Sequence, residues 1–222
     1  MAFVKKTMQD AGAVQKPVAL DEWNIFATGS KQQVSHVNGM HSVLLLSEML
    51  KNKYGMACRW DLANGWSNGD DHGMFSNGDE PGVSKSNPRP VFYHEYFYQK
   101  FLGDRVISST VQNGTDIYAC ASSYTSGQLA VAVVNKSATA KPVQISVKNF
   151  KAGTRFYWYE LTGSNDNGEF SRKVIINGKG PDGEAGGPTD YATLKAYSAV
   201  VSGGIRINVP ARSVVFLAID KK

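Results

Sequence analysis

The residues with the clearest chemical potential form the run Asp21-Glu22-Trp23-Asn24, directly after the apolar segment 17–20. The apolar segment predicts a buried strand, so the run brings a carboxylate, an indole and an amide to its carboxyl end. A carboxylate can act there as a nucleophile or in proton transfer. In (β/α)8 barrels, side chains at this end of a strand project into the mouth, where catalysis takes place. Because only 21 residues precede Glu22, a barrel strand here would leave most of the barrel outside the chain.

The elements that follow predict a βαβ unit and a long loop. Apolar residues recur from Gln33 to Asn52 with the spacing of one helix face, and residues 56–60 predict a second strand. A strand, a helix and a strand in this order predict parallel strands with a right-handed crossover. The stretch 61–90 is rich in Gly, Asn, Asp and Ser, and a loop of that length in a compact domain is usually functional. An aromatic helix that ends at Gly103 follows the loop.

The chain changes character near residue 105. From there on, about eight short apolar strands are separated by turn residues such as Asn113-Gly114 and Ser126-Gly127. This spacing is typical of an antiparallel β-sandwich. We therefore predict an α/β plus all-β chain, with a partial barrel segment at residues 1–104 and a β-sandwich at residues 105–222.

In this order the pieces resemble the carboxyl-terminal part of a clan A retaining glycoside hydrolase of the β-xylosidase, arabinofuranosidase and agarase type. In that clan a nucleophile Glu ends the seventh strand of a (β/α)8 TIM barrel. A helix and an eighth strand with an aromatic end follow, and then a loop and a helix lead into a sandwich. Residues 21–24 resemble the nucleophile strand and residues 56–60 the eighth strand. The remaining matches are His72-Gly73-Met74-Phe75, Pro88-Arg89-Pro90-Val91-Phe92-Tyr93, Val133-Val134-Asn135-Lys136-Ser137 and Val209-Pro210-Ala211-Arg212-Ser213-Val214.

The resemblance implies hydrolysis of O-glycosidic bonds in polysaccharides or oligosaccharides, with retention and with Glu22 as the nucleophile. A retaining glycosidase also needs an acid/base carboxyl about 5–5.5 Å from the nucleophile. In the clan this Glu lies on the fourth barrel strand, and nothing upstream of Glu22 fits it. Acids in loops are mostly solvated turn formers, which is the expectation for Asp70, Asp71, Asp79 and Glu80. The chain is therefore expected to hold half of an active site, and its own status as an enzyme is left open.

Five further residues are candidates for binding the sugar. Pyranose C–H faces pack on indole rings, and the indole N–H can orient a hydroxyl, which suggests Trp60, Trp66 and Trp23. Core packing is the alternative for each of them. Asn24 and Asp61 are candidates for binding hydroxyl groups, with a loop cap or turn as the alternative for Asp61.

Composition and spacing argue against other classes of protein. The net charge is +5, but the 24 Lys and Arg are scattered and no basic run indicates nucleic-acid binding. No apolar stretch is long enough to cross a bilayer. His36 and His41 are five residues apart and miss the spacing that puts two metal ligands on one helix face. We expect no metal and no cofactor, and we expect Cys58 and Cys120 to be buried free thiols.

The expected partners are a carbohydrate substrate and either an amino-terminal barrel portion or a second copy. An isolated barrel remnant would expose apolar faces that its missing neighbours should cover. The start of the chain contains no apolar core of signal-peptide length, although the resemblance implies a secreted or periplasmic parent enzyme. Two alternatives stay open. One is a non-catalytic carbohydrate-binding or accessory sandwich module that uses part of Tyr157, Trp158 and Tyr159, and the other is an independent α+β protein unrelated to sugars.

Overall fold

The computed structural model describes residues 1–164 and 170–222. It contains the helices α1 (Ala2–Asp10), α2 (His36–Lys51) and α3 (Pro90–Lys100) and short 3-10 turns at Gln32–Val34 and Ser67–Gly69. The strands of the first half are β1 (Ala19–Trp23), β2 (Met56–Arg59), β3 (Ala63–Asn64) and β4 (Phe75–Ser76). Those of the second half are β5 (Arg105–Ile107), β6 (Ile117–Ser123), β7 (Leu129–Asn135), β8 (Lys141–Ile145), β9 (Ala152–Thr162), β10 (Ile175–Ile176), β11 (Tyr197–Val200), β12 (Ile205–Val209) and β13 (Ser213–Lys221).

The predicted βαβ unit is present as β1, α2 and β2. Strands β1 and β2 pair in parallel, as a crossover through a helix requires. Ser35 caps α2, since its side chain accepts a hydrogen bond from Val37 N at 3.2 Å. Such a bond satisfies one of the four N–H groups that a helix start leaves unpaired.

Helices α2 and α3 pack closely against each other. A Cβ atom added to Gly39 would lie 2.1 Å from the imidazole of His94, so only glycine allows this approach at that point in α2. Pro90 occupies the first turn of α3, where its missing N–H has no intrahelical partner to lose.

The second half forms a seven-stranded sheet in the order β10-β9-β13-β7-β6-β5, with β11 added along β9. All pairings in this sheet are antiparallel, which confirms the antiparallel prediction. The second layer of the predicted sandwich is small, because it consists of the two-stranded sheet of β8 and β12. Strand β11 was missed in the sequence because its residues are mostly exposed and do not alternate cleanly.

The seven-stranded sheet is covered on both faces. From the central strand β13, Val214 and Phe216 pack toward α2 and α3, whereas Val215 and Leu217 pack toward β8 and β12. This follows from the alternation of side chains along a strand. Buried residues on both sides of position 105 share the first of these cores: Met40, Val43, Tyr93, Phe97, Val134, Leu161 and Phe216.

The parallel pair of strands is less covered than the large sheet. Among the described residues it has two strands, and α1 buries none of its residues. Cys58 in β2 is exposed, which corrects the expectation of a buried thiol, whereas Cys120 is buried as expected. The reason is that one face of β2 has no layer packed on it within the described residues. No helix in the described part of the chain is long and apolar enough to span a membrane.

Candidate active site at the ends of two parallel strands

The carboxyl ends of β1 and β2 lie side by side. Trp60 N donates a hydrogen bond to Trp23 O at 2.9 Å, immediately beyond the last paired residues, Trp23 and Arg59. Between Leu20 and Trp23 the register shifts, since β1 advances three positions while β2 advances two. Such a bulge bends a strand and re-aims its side chains, and bulges are common next to active sites. It falls on Asp21 and Glu22.

Glu22 is exposed at this bulge. Its carboxylate makes no hydrogen bond and no ion pair with any residue that the structure describes. The side chain is therefore available to a ligand, and no cation or donor among the described residues fixes its rotamer.

Asn24 joins the ends of the two strands to the long loop. Its amide nitrogen donates to Trp60 O at 2.6 Å and to His72 O at 3.1 Å. Its side-chain oxygen accepts from Ile25 N at 2.7 Å. Both amide hydrogens are thus engaged with the backbone, which leaves none for a sugar hydroxyl.

Arg59 is a buried scaffold residue that sequence reasoning missed. Its guanidinium donates to Asp61 O and to His72 O, each at 2.9 Å. Its Nε lies 3.7 Å from Glu95 Oε1. Burial lowers the pKa of Arg59 and raises that of Glu95. Only a fold that brings β2, the loop and α3 together reveals this role.

Two aromatic side chains are exposed at this end of the strands. Trp60 is 48% exposed, and Phe26, in the loop after β1, is 78% exposed. The ring of Phe26 stacks on His72, with centroids 6.0 Å apart and planes inclined by 24°. Sequence reasoning missed both Phe26 and His72, although an aromatic residue in a polar loop is a usable signal.

The other two tryptophans have different surroundings. Trp23 is only 7% exposed and packs against His41, with ring centroids 6.4 Å apart. Its ring is buried against α2, and its role as a sugar platform stays a prediction, one that this burial does not favour. Trp66 is half-buried, and the guanidinium of Arg172 lies 5.4 Å from its ring centroid.

Asp61 follows Trp60 through a cis peptide bond. Its Oδ1 is buried and has no hydrogen-bond partner among the described residues. Burial raises the pKa of Asp61, and the nearby carboxylate of Asp71 raises it further. This carboxylate oxygen at the rim of the site therefore lacks a hydrogen-bond donor among the described residues.

Two loop acids are buried rather than solvated, which corrects the expectation from the sequence. Asp71 and Glu80 both pair with Arg89, at 2.5 and 3.0 Å, and Arg89 is only 1% exposed. Charges are almost never fully buried unless they are paired, so this arrangement anchors the loop to the start of α3. Asp70 and Asp79 accept hydrogen bonds from the backbone N–H groups of Gly29 and Trp66, as turn-forming acids do.

The described residues include no cluster of three or more His, Cys, Asp or Glu that could hold a metal ion.

Comparison with solved structures shows that the chain shares its fold with glycoside hydrolases. It superposes on the GH51 α-L-arabinofuranosidase of Thermotoga petrophila with a TM-score of 0.64 and 16% identity, covering 96% of this chain and 44% of that one. A bifunctional glucanase-xylanase from a metagenome library gives 0.58 and 21%, covering 98% and 33%. The family 44 xyloglucanase of Paenibacillus polymyxa gives 0.60 and 14%, covering 98% and 35%. No family model and no curated protein matches the sequence. The chain thus spans less than half of these glycoside hydrolases, and the likeness is one of fold.

Proposed function

We propose that the chain supplies the nucleophile side of the active site of a retaining glycoside hydrolase that acts on polysaccharides or oligosaccharides. The observation that carries the proposal is the position of Glu22. It is exposed on a bulge at the carboxyl end of β1, beside the end of the parallel strand β2. The fold shared with glycoside hydrolases over 96–98% of the chain supports this assignment.

In the proposed reaction the carboxylate of Glu22 attacks the anomeric carbon and forms a covalent glycosyl ester. A second carboxyl group protonates the departing glycosidic oxygen and then takes a proton from the water that hydrolyses the ester. The buried acids near the site have structural partners, since Asp71 and Glu80 pair with Arg89, and Glu95 accepts from Ser42. These three described acids are thus engaged, and the proposal assigns the acid/base role to a carboxyl from a segment outside this chain.

The proposed sugar-binding role of each side chain follows from the ring faces and polar atoms that no other protein group occupies. Trp60 presents a half-exposed indole to a sugar ring. Asp61 beside it stays a candidate for a hydroxyl, but not through Oδ1, which is buried. Asn24 acts through positioning, because its amide hydrogens hold the backbone of Trp60 and His72.

The partner that completes the site would be an amino-terminal barrel portion, with a second copy of the chain as the alternative. Helix α1 buries no residue, and within residues 1–164 and 170–222 the sheet of β1 and β2 contains no third strand. A groove of about 540 Å³ lies between α2, α3 and β2. Its lining includes the apolar residues Leu46, Met49, Leu50, Met56, Phe92 and Tyr96. These surfaces fit the strands and helices that a barrel would add.

The test is chemical rescue of Glu22→Ala in the polypeptide that joins this chain to its upstream in-frame coding sequence. That sequence is expected to encode an Asn-Glu strand. The variant should lose turnover of aryl glycosides, because no carboxylate is left to form the ester. Added azide should restore turnover and give a glycosyl azide of inverted configuration, since the small anion attacks in the place of Glu22.

The matched control is Asp21→Ala at the neighbouring exposed carboxylate, which should retain turnover and gain nothing from azide. Turnover of aryl glycosides by the 222-residue chain alone would contradict the requirement for an outside acid/base. A Glu22→Ala polypeptide that keeps wild-type turnover would contradict the nucleophile assignment.

A second candidate function is a non-catalytic carbohydrate-binding module. It is favoured by the cross-strand pair of Trp158 and Tyr197, whose centroids are 5.6 Å apart and of which Tyr197 is 40% exposed. Tyr159 contributes little to it, because its ring packs on Phe97 in the core. Affinity electrophoresis on xylan or arabinan separates the two functions. Module binding would survive Glu22→Gln and be lost in Tyr197→Ala.

A further inference from the structure

Arg172 connects the segment between β9 and β10 to the long loop of the site. Its Nη1 donates to Glu80 Oε1 at 2.8 Å and to Pro81 O at 3.2 Å. The guanidinium also lies over the ring of Trp66, 5.4 Å from the centroid, within the range of a cation–π contact. The sheet half of the chain thus reaches the rim of the candidate site through one side chain.

Trp66 is held in place relative to the loop that follows the Glu22 strand. Its backbone N donates to Asp79 Oδ2 at 2.7 Å. Gln33, which is buried, donates to Asp70 O at 2.6 Å and accepts from Ala27 N at 2.8 Å. These bonds fasten the segment that carries Trp66 to the segment after β1, so the two belong to one rim.

The charge of Arg172 is balanced within the rim. Glu80 pairs with both Arg172 and Arg89, and Arg89 also pairs with Asp71. Two cations and two carboxylates leave this group without net charge. Arg172 keeps 22% of its side chain exposed, and its Nε and Nη2 donate to no residue in the described ranges. It therefore offers free N–H donors without an excess positive charge.

We propose that Trp66 and Arg172 form a subsite for a neutral sugar unit, built jointly by the long loop and the segment after β9. The sugar's C–H groups pack on the exposed part of the indole, and the free N–H groups of Arg172 donate to its hydroxyls. The proposal rests on the function proposed above. It adds that a second segment of the chain contributes to sugar binding and that the glycan is neutral. A uronate polymer fits less well, because the carboxylates of Glu80 and Asp71 already neutralise the cations.

Affinity electrophoresis of the full chain tests the subsite with xyloglucan and linear arabinan as neutral probes and polygalacturonate as the acidic probe. The wild type should be retarded by a neutral probe. Trp66→Ala and Arg172→Gln should each weaken the apparent affinity about tenfold, since each removes one of the two binding groups. Arg172→Lys, which keeps a cation near Glu80 but has fewer donors, should fall between the wild type and Arg172→Gln.

The matched control is Arg155→Gln on β9, whose side chain bonds Ser198 on the sheet. It should migrate like the wild type. Equal thermal unfolding of Arg172→Gln and the wild type shows that any lost binding is not lost folding. If the fold of Arg172→Gln is weakened, Trp66→Phe serves instead. It replaces the bicyclic indole by a single smaller ring, so the apparent affinity should fall below that of the wild type but less than in Trp66→Ala.

Two results overturn the subsite while leaving the proposed function intact. One is that Arg172→Gln is retarded as strongly as the wild type, in a gel in which Trp60→Ala is not retarded. The other is retardation by polygalacturonate alone that disappears with added salt. Lack of retardation of the wild type by all three probes also overturns it, and the azide experiment on Glu22 then decides the proposed function separately.

Discussion

Neighbouring side chains at the end of β1 divide between the interior and solvent. Trp23 packs beneath α2, whereas Glu22 beside it is exposed. The register shift between Leu20 and Trp23 separates them, because the bulge changes the direction of the side chains it contains. One carboxylate is thereby directed away from the core at the point where a ligand would enter.

The two tryptophans that end the parallel strands should differ strongly in their effect on stability. Trp23→Ala should lower the free energy of unfolding by about 3 kcal/mol or more, since it leaves a cavity in the core. Trp60→Ala should cost about 1 kcal/mol or less, because the ring is half exposed. Urea unfolding monitored by circular dichroism measures both. Equal losses would contradict the assignment of Trp23 to the core.

Two buried histidines lie in contact where α2 meets α3, and one of them bonds to the turn before β13. His36 at the start of α2 donates through Nε2 to Arg212 O at 2.8 Å, and its ring lies 4.8 Å from that of His94 in α3. His94 donates through Nδ1 to Pro90 O, and its buried Nε2 has no hydrogen-bond partner among the described residues. Burial and the adjacent His36 hold the pKa of His94 well below its ordinary value.

The depressed pKa of His94 should make the protein less stable in mild acid. In the unfolded chain the imidazole of His94 takes up a proton near pH 6.5, whereas in the folded chain it does so only at lower pH. The contribution of the neutral imidazole to stability is therefore present above pH 6.5 and is lost as the pH falls below it. The loss should reach about 1.4 kcal/mol per pH unit for one such histidine. Urea unfolding at pH 7.5, 6.5 and 5.5 measures it.

The comparison that isolates this effect is His94→Gln, which removes the titrating group. Burial raises the pKa of Glu95, so this residue increases the free energy of unfolding as the pH falls, in contrast to His94. Glu95 is present in both proteins, so its effect is the same in each. The variant should therefore show a shallower decline than the wild type. An unchanged slope between pH 6.5 and 5.5 would rule out His94 as its source.

At the scale of the whole molecule, the core is unevenly distributed. Strand β13 pairs with β7 on one side and β9 on the other, and both of its faces are buried. In the part of the chain that the structure describes, the pair β1 and β2 has no further strand beside it, and α1 has no buried residue. Stability should be lowest where the proposed barrel neighbours would bind.

Hydrogen exchange followed by mass spectrometry should reveal this gradient. Amides of β7 and β13 should exchange only through global unfolding, whereas those of α1 and β1 should exchange through local opening at a much lower free energy. The separate peptides that cover β8 and β12 are internal references for a small two-stranded layer that does have a covering sheet. Protection of β1 equal to that of β13 would contradict the view that this end of the molecule lacks its packing partners.

The local elements and their order can be predicted from the amino-acid sequence. Apolar periodicity predicted α2, the parallel strands on either side of it and the antiparallel strands of the second half, because helices and strands bury side chains at fixed spacings. It also singled out Glu22, Trp60 and Asp61 as residues at strand ends. Those patterns depend on neighbours in the chain and can be read without knowing the fold.

Which of these residues face the interior depends on how distant segments pack together. The tertiary structure buries Trp23, turns the loop acids Asp71 and Glu80 inward onto Arg89, and brings Arg172 from the sheet half to Trp66. Each of these outcomes depends on contacts between segments far apart in sequence. The physical reason is that burial and charge pairing are set by whatever packs against a side chain, and the residue type alone does not specify that neighbour.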